Sequence, residues 1–489
     1  MTLTQEVGLR PEEVFLARSP SCEYDARLDF EAPEFEDDVP KTTTLFAVRN
    51  LLSQAGLDKA RFGAADWNPL AAIIQRGSRV LLKPNWVHHR NRSGLGLTCL
   101  VTHSAVIEAV LRYVLKARPA SVVVGDAPIQ GCDFRRLAHD AGFERLGHVS
   151  TGRSPEVTIR DLRCVHLPRS TAPQVPNPGR DADCYVLVDL GSESLLEPIT
   201  HERSEFRVTM YDPRDMRRNH QRGRHRYLIA REVLDADVVI NLPKLKTHKK
   251  VGITGALKNM VGINGHKEFL PHHRKGGSAQ GGDCYSGSSR LKRIAEELLD
   301  ISNQSKSTHL RFLLPRLGKL AIMVETLIGG DDNLTGSWYG NDTVWRTCLD
   351  LQRILYYGRA DGSLSDVPQR TVLSITDGII AGEGDGPLAP SPVEFGLLSM
   401  GTNTAALEWV HGLLMGFDPE KIPLLRQAFR VSPWPLTHLR PGELVIRLDG
   451  SRCRAEHLFR QAGRAFQPPR GWIGKCEQQT DRTKECAAQ

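Results

Sequence analysis

From Asp237 to Lys275 the chain reads DVVINLPKLKTHKKVGITGALKNMVGINGHKEFLPHHRK. An apolar strand pattern, Val238-Val239-Ile240, runs into a segment carrying Lys244, Lys246, His248, Lys249 and Lys250. Lys258 and Asn259 follow on a short predicted helix, and a second polar loop brings His266, Lys267, His272 and His273. Cations at the end of an apolar strand point to a ligand, because α/β sheets bind at their strand ends. The chemistry they support is the holding of a phosphate or carboxylate by ammonium groups. Imidazoles beside them can move protons, so His248 and His273, with Lys258 among the ammonium groups, are the candidate catalytic residues.

Other predicted strands also end in polar residues: Lys83-Pro84-Asn85, Asp126, and Asp377 after Thr371–Thr376. Singly, Asn85 can close a turn and Asp126 can cap a helix. Together with the lysines they define one edge of a parallel sheet, where distant residues converge. The predicted helix Thr254–Met260 opens on small residues, with Gly252 and Gly255 allowing close approach and free N–H groups suiting an anion. Thr254 and Lys258, four apart, would share its face. A Walker pattern is absent. Candidate substrate-binding residues are therefore Lys83, Asn85, Asp126, Lys244, Lys246, Thr254, Asn259 and Lys267.

Metal chemistry has two sequence candidates. His248, His266, His272 and His273 are of the right type for a transition metal, but adjacent histidines on an extended segment point to opposite sides. Proton transfer and plain solvent exposure are the alternatives for them. Glu383-Gly384-Asp385-Gly386-Pro387 suits a hard cation better, so Asp377, Glu383 and Asp385 are the candidate ligands of Mg2+ or Mn2+. An acidic turn is the plain alternative. In Asn341–Asp350, Asp342, Arg346 and Asp350 have the spacing of an ion-pair ladder, which is the stronger reading over an anion grip by Arg346.

Composition bounds the classes. A chain of 489 residues, 40% hydrophobic and 25% charged, is that of a water-soluble globular protein. The most apolar stretch, around Leu313–Ile328, is interrupted by Pro315, Arg316 and Lys319, so no membrane span is expected. The first residues lack a basic head and apolar run, so a cytoplasmic location is expected. Ten cysteines are scattered without a C-x-x-C pair, and no iron–sulfur cluster is expected. Residues 201–275 hold seventeen Lys or Arg against eight acids, a larger surplus than the whole chain's +7. Such a field attracts anions. Aromatics at 6% and the lack of a helix-turn-helix, zinc-finger or RNP pattern argue against a specific nucleic-acid partner.

The elements that must position these residues read as an α/β fold. It has a mostly parallel sheet with helices on both faces, an inserted Arg/Pro-rich cap and helical additions. Residues 1–45 form an acidic arm, with eleven acids against three arginines in Met1–Pro40. A first α/β half (46–146) has strands at Arg79–Lys83 and Ser121–Gly125 and a helix at Ser104–Lys116, capped by Thr102 or Ser104. Asp133 caps the next helix. An insertion or cap spans 147–226. A second α/β part (227–448) begins with a predicted helix at Tyr227–Leu234 and the strand Asp237–Asn241. After a Gly/Ser-rich mobile loop, Gly276–Ser289, come helices at Arg290–Ser305 and Leu310–Ile328. The strand Thr371–Thr376 and the Gly-rich Asp377–Pro387 follow, then helices at Thr402–Leu414 and Pro419–Arg426 and a final strand, Glu443–Leu448. A disordered tail occupies 467–489.

On these residues the chain resembles the domain-of-unknown-function family 362. The matching pieces are VLLKPNWV (Val80–Val87), Thr102–Ser104, VVVGDAP (Val122–Pro128), Asp237–Gly262, DGIIAGEGDGP (Asp377–Pro387) and MGFDP (Met415–Pro419). They span about residues 78–430. The resemblance implies a shared site at Lys83, Asn85, Asp126, Lys244, Lys246, His248, Lys258 and Asn259. Many relatives carry a ferredoxin-like cluster domain, which implies redox chemistry for them; this sequence lacks that cysteine run. Two functions follow as expectations. One is an enzyme acting on an anionic small molecule with divalent-metal assistance. The other is a non-catalytic redox or assembly partner that binds an anionic ligand.

Overall fold

β-Branched runs set the frame of the molecule. In the computed structural model, which describes residues 8–25, 44–148, 155–167, 174–201, 205–209, 211–430 and 432–478, one sheet has eleven strands. They are β1 (Glu13–Arg18), β2 (Arg79–Pro84), β3 (Ser121–Asp126), β4 (Val157–Asp161), β5 (Val238–Leu242), β6 (Lys244–His248), β7 (Gly252–Thr254), β8 (Thr371–Asp385), β9 (Ala389–Gly401), β10 (Val445–Leu448) and β11 (Ser451–Cys453). The order is β11-β10-β1-β9-β8-β5-β2-β3-β4, and β6 pairs with both β8 and β7. From β8 to β4 neighbours are parallel. β9 runs antiparallel between β8 and β1, and β1 is parallel to β10.

Both faces of this sheet are covered, and the strand period shows how. Val80, Leu82, Val238, Ile240, Leu373 and Ile375 face one core, shared with Val48 and Leu51 of helix α1 (Thr44–Gln54) and Val106 and Val110 of α2 (Ser104–Lys116). The alternate residues Leu81, Val239 and Val372 face a second core. Chain order then selects the place for a ligand. β2 leads through α2 to β3 on one side, whereas β5 lies on its other side and the chain continues to β8 beyond. The carboxyl ends of β2 and β5 therefore flank a topological switch point.

Several expectations are corrected here. The acidic arm contains β1, which lies inside the sheet; residues 26–43 of the arm are outside the described residues. The cap is not wholly an insertion, since β4 extends the main sheet. Tyr227–Leu234 is not one helix: Arg224–Ala230 is a strand paired with Tyr185–Asp189, and a short helix follows at Arg231–Asp235. The β-branched and aromatic content of RHRYLIA outweighs its helical spacing. The helix at Thr254–Met260 shrinks to α3 (Ala256–Asn259) with a 3-10 turn at Met260–Ile263, because Gly252–Thr254 pairs as β7. Asp377–Pro387 is mostly strand, the hairpin partner of β9.

Gly276–Ser289 is a structured loop, with Gly276 N–H donating to Glu296 and Ser278 N–H to the Tyr285 carbonyl. It leads into α4 (Arg290–Gln304) and α5 (Thr308–Leu327). These two pack where Gly318 meets Ala295 and leave Leu310, Leu313, Leu317 and Leu320 exposed. The expected tail is ordered as far as Gln478, with Trp472 and Cys476 buried. Residues 479–489 are outside the described residues.

Candidate functional site

At the switch point a cavity of about 490 Å³ opens over the ends of β2, β3 and β5. It has the size of a small-molecule site. Of the candidate residues it gathers Asn85, Asp126, Lys246, His248, Thr254, Lys258, Asn259 and Lys267 on its wall. Lys249, Lys250, Arg92, His88 and His272 join them. Among the described lining residues Asp126 is the only carboxylate, against five lysines and an arginine. Apolar wall comes from Val87, Ile129, Leu167, Val208, Val261 and Leu388.

A hydrogen-bonded relay forms the floor. Lys246 Nζ donates to Asn85 Oδ1 (2.7 Å), and Asn85 Nδ2 donates to Asn259 Oδ1 (3.1 Å). Lys83 Nζ also reaches Asn259 Oδ1 (3.2 Å) and pairs with Asp126 Oδ1 (2.8 Å). Asn259 Nδ2 donates to the Lys83 carbonyl (3.0 Å) and to Asn241 Oδ1 (2.8 Å). Asp126 takes a further bond from the Trp86 N–H (2.6 Å), so it serves the floor and caps no helix. A Cβ at Gly262 would sit 1.8 Å from Asp126 Oδ1, which is why glycine covers this pair.

Lys83 and Lys244 are behind the wall rather than on it, both fully buried. Lys244 Nζ is held by Asp377 (2.6 Å) and by the Tyr24 hydroxyl (2.8 Å), and Tyr24 donates in turn to Asp377 (2.8 Å). Asp377 is thus a countercharge inside the sheet. Glu383 accepts from the Gln467 N–H, and Asp385 pairs with Arg470 (2.8 Å). Asp377 and Glu383 are six residues apart along one strand, roughly 20 Å at the strand rise. The expected metal trio does not converge, because the run read as a turn is strand. The anion-binding helix start is corrected too: the Ala256 N–H donates to the buried Glu408 carboxylate (2.6 Å).

Electrostatics follow from burial. Lys246, Lys250 and Lys267 are each pushed down to about 7, chiefly by burial; for each, neighbouring lysines add repulsion. Lys258 is lowered by burial, with no hydrogen bond or ion pair to hold its ammonium among the described residues. Thr254 Oγ1 is buried without a partner. Burial first, and then the surrounding lysines, hold His248 and His272 well below the ordinary imidazole range.

Their tautomers differ. His248 Nδ1 accepts from the Lys250 N–H (3.1 Å), which leaves its Nε2 as a donor. His272 Nδ1 donates to the Leu270 carbonyl (2.7 Å), which leaves its Nε2 as an acceptor. His273, the sequence candidate, points away from the cavity, as alternation along an extended segment requires. Sequence reasoning missed the strand β6 and the residue Tyr24, and only the first had a signal. Lys244, Lys246 and His248 recur at period 2, the mark of a strand. Tyr24, 220 residues before Lys244, gave none.

Residues 80–189 and 193–411 match the family described as Domain of unknown function (DUF362), and the chain belongs to that family. It is 25% identical over 383 residues to the "Thylakoid-associated protein sll1697" of Synechocystis sp. (strain ATCC 27184 / PCC 6803 / Kazusa), covering 76% of each chain. A crystal structure of a Thermotoga maritima protein is similar at 12% identity and a TM-score of 0.31. That likeness covers 75% of this chain and 58% of the other. Among the described residues no helix is long and apolar enough to cross a membrane.

Proposed function

We propose that the protein is an enzyme that binds a phosphate- or carboxylate-bearing small molecule in this cavity. The observation that supports the reading is the make-up of the wall, five lysines and an arginine around one already paired carboxylate. Like charges this close repel, and an anion relieves them. Lys246, Lys250, Lys258 and Lys267 would grip the anionic group, and the apolar wall would take the rest of the ligand. His248 Nε2–H offers a hydrogen bond to it, and His272 Nε2 is the candidate proton acceptor. Mg2+ or Mn2+ enters this reading as an ion carried on the ligand's phosphates, since Asp377, Glu383 and Asp385 are engaged elsewhere. A cytoplasmic location belongs to the same reading, because its ligands are dissolved metabolites.

Thermal-shift and calorimetric titration with a panel of phosphorylated and carboxylated metabolites tests it, at low and high salt. Expected is at least one anion that raises the melting temperature, with affinity falling as salt rises. If pyrophosphate, nucleotides, sugar phosphates and dicarboxylates all leave the melt unchanged at low salt, the reading is wrong.

A further inference from the structure

His273 has its own neighbourhood on the far side of the segment whose His272 lines the cavity. Its ring meets the Cys284 thiol and the Glu296 carboxylate, and one ligating atom from each of the three lies within 4.8 Å of the others. The three come from different elements: the short strand His273–Arg274, the loop before α4, and α4 itself. All are buried, at 3%, 0% and 6% exposure.

Three observations there ask for an occupant. His273 Nδ1 is buried without a hydrogen-bond partner. Glu296 accepts the Gly276 N–H (3.0 and 3.2 Å to its two oxygens) but has no ion pair among the described residues. A buried carboxylate outside any ion pair is costly, the nearby Lys275 being held by Glu297 and Asp300, and proteins remove that cost by pairing or by a metal. Finally, a space of about 20 Å³ adjoins the cluster, bounded in part by His273 and Glu296. That is room for one water-sized occupant.

We propose that His273, Cys284 and Glu296 form a binding site for a divalent transition-metal ion of borderline softness, with zinc the first choice. The donor set decides the class: thiolate and imidazole select against magnesium and calcium, which take oxygen. Charge closes as well, because a thiolate and a carboxylate cancel a dication. Binding breaks the Cys284 S–H bond and releases that proton to solvent; no electron moves. Three protein donors leave one tetrahedral position for water or another ligand. The cations nearby are all engaged: Lys250 Nζ by the Thr335 carbonyl, Lys275 by Glu297 and Asp300, and Arg207 by Asp300. A bound ion would tie α4 and its preceding loop to the back of the cavity wall.

The test uses the full chain, equilibrated with excess Zn2+ and then freed of loosely held metal by gel filtration. Elemental analysis should find about one zinc per chain in the parent, and most of it should be lost in Cys284→Ser and in Glu296→Gln. Cobalt in place of zinc should give the parent a thiolate-to-cobalt charge-transfer band, absent from Cys284→Ser. Circular dichroism checks that the variants are folded, and the parent's cobalt spectrum decides the matter if they are not. A parent that retains no zinc, a cobalt spectrum without a thiolate band, or a folded Cys284→Ser that keeps its metal each overturns the site.

Discussion

Lys83 and Lys258 carry the same charge and should answer substitution in opposite ways. Lys83 is one half of a fully buried pair, so Lys83→Met strands Asp126 and should cost about 3–5 kcal/mol in denaturant unfolding. Lys258 has no such partner. Lys258→Met should leave stability level or raise it by about 1 kcal/mol, while anion affinity falls roughly tenfold or more. Equal destabilisation by both would refute the division between floor and wall.

The depressed lysines carry a pH signature of their own. Near 10.5 in the unfolded chain and about 7 in the folded one, Lys246, Lys250 and Lys267 are protonated only when unfolded across that interval. The unfolded state then binds more protons, so these groups make stability rise with pH between about 7 and 10.5. A bound anion pulls the same pKa values back up. Binding should therefore take up protons near pH 8 and weaken as pH rises. Calorimetry in buffers of unlike ionisation enthalpy reads that uptake directly, and identical heats in all of them would contradict it.

Elements differ in how far their sequence betrays them. β2, β3 and β5 were legible because each is a short apolar run ending in polar residues, and the helices Ser104–Lys116 and Thr404–Leu414 because their apolar positions recur at the helical period. Asn85, Asp126 and the lysines were legible as a group because strand ends converge in a parallel sheet. β1 was hidden by its acidic surroundings, and the second part of β8, Asp377–Asp385, by glycines that resemble a turn but pair with β9. Partners chosen by tertiary packing, such as Tyr24 for Lys244 or Glu408 for Ala256, leave no local mark at all.

The segment after Phe466 shows the same limit and yields a test. Polar composition suggested disorder, yet Trp472 is buried and its Nε1 donates to the Lys249 carbonyl (2.9 Å) on the cavity rim. Trp472→Ala should cost about 3–5 kcal/mol, where a disordered tail would give nothing. Unfolding in urea distinguishes the two.

At the scale of the molecule, one sheet joins regions that are far apart in the chain, and the cavity lies where its winding reverses. β1 is the extreme case, since it completes the sheet between β9 and β10. During synthesis that strand leaves the ribosome about 380 residues ahead of β9, a wait of roughly 20–80 s at ordinary elongation rates. Until then Val14, Phe15 and Leu16 have no sheet to enter, and an unpaired apolar strand invites pairing with another chain. Ten of the eleven acids of Met1–Pro40 flank it, two before and eight after. Charge flanking an apolar strand disfavours association between chains, so the acidic arm guards the strand through its wait.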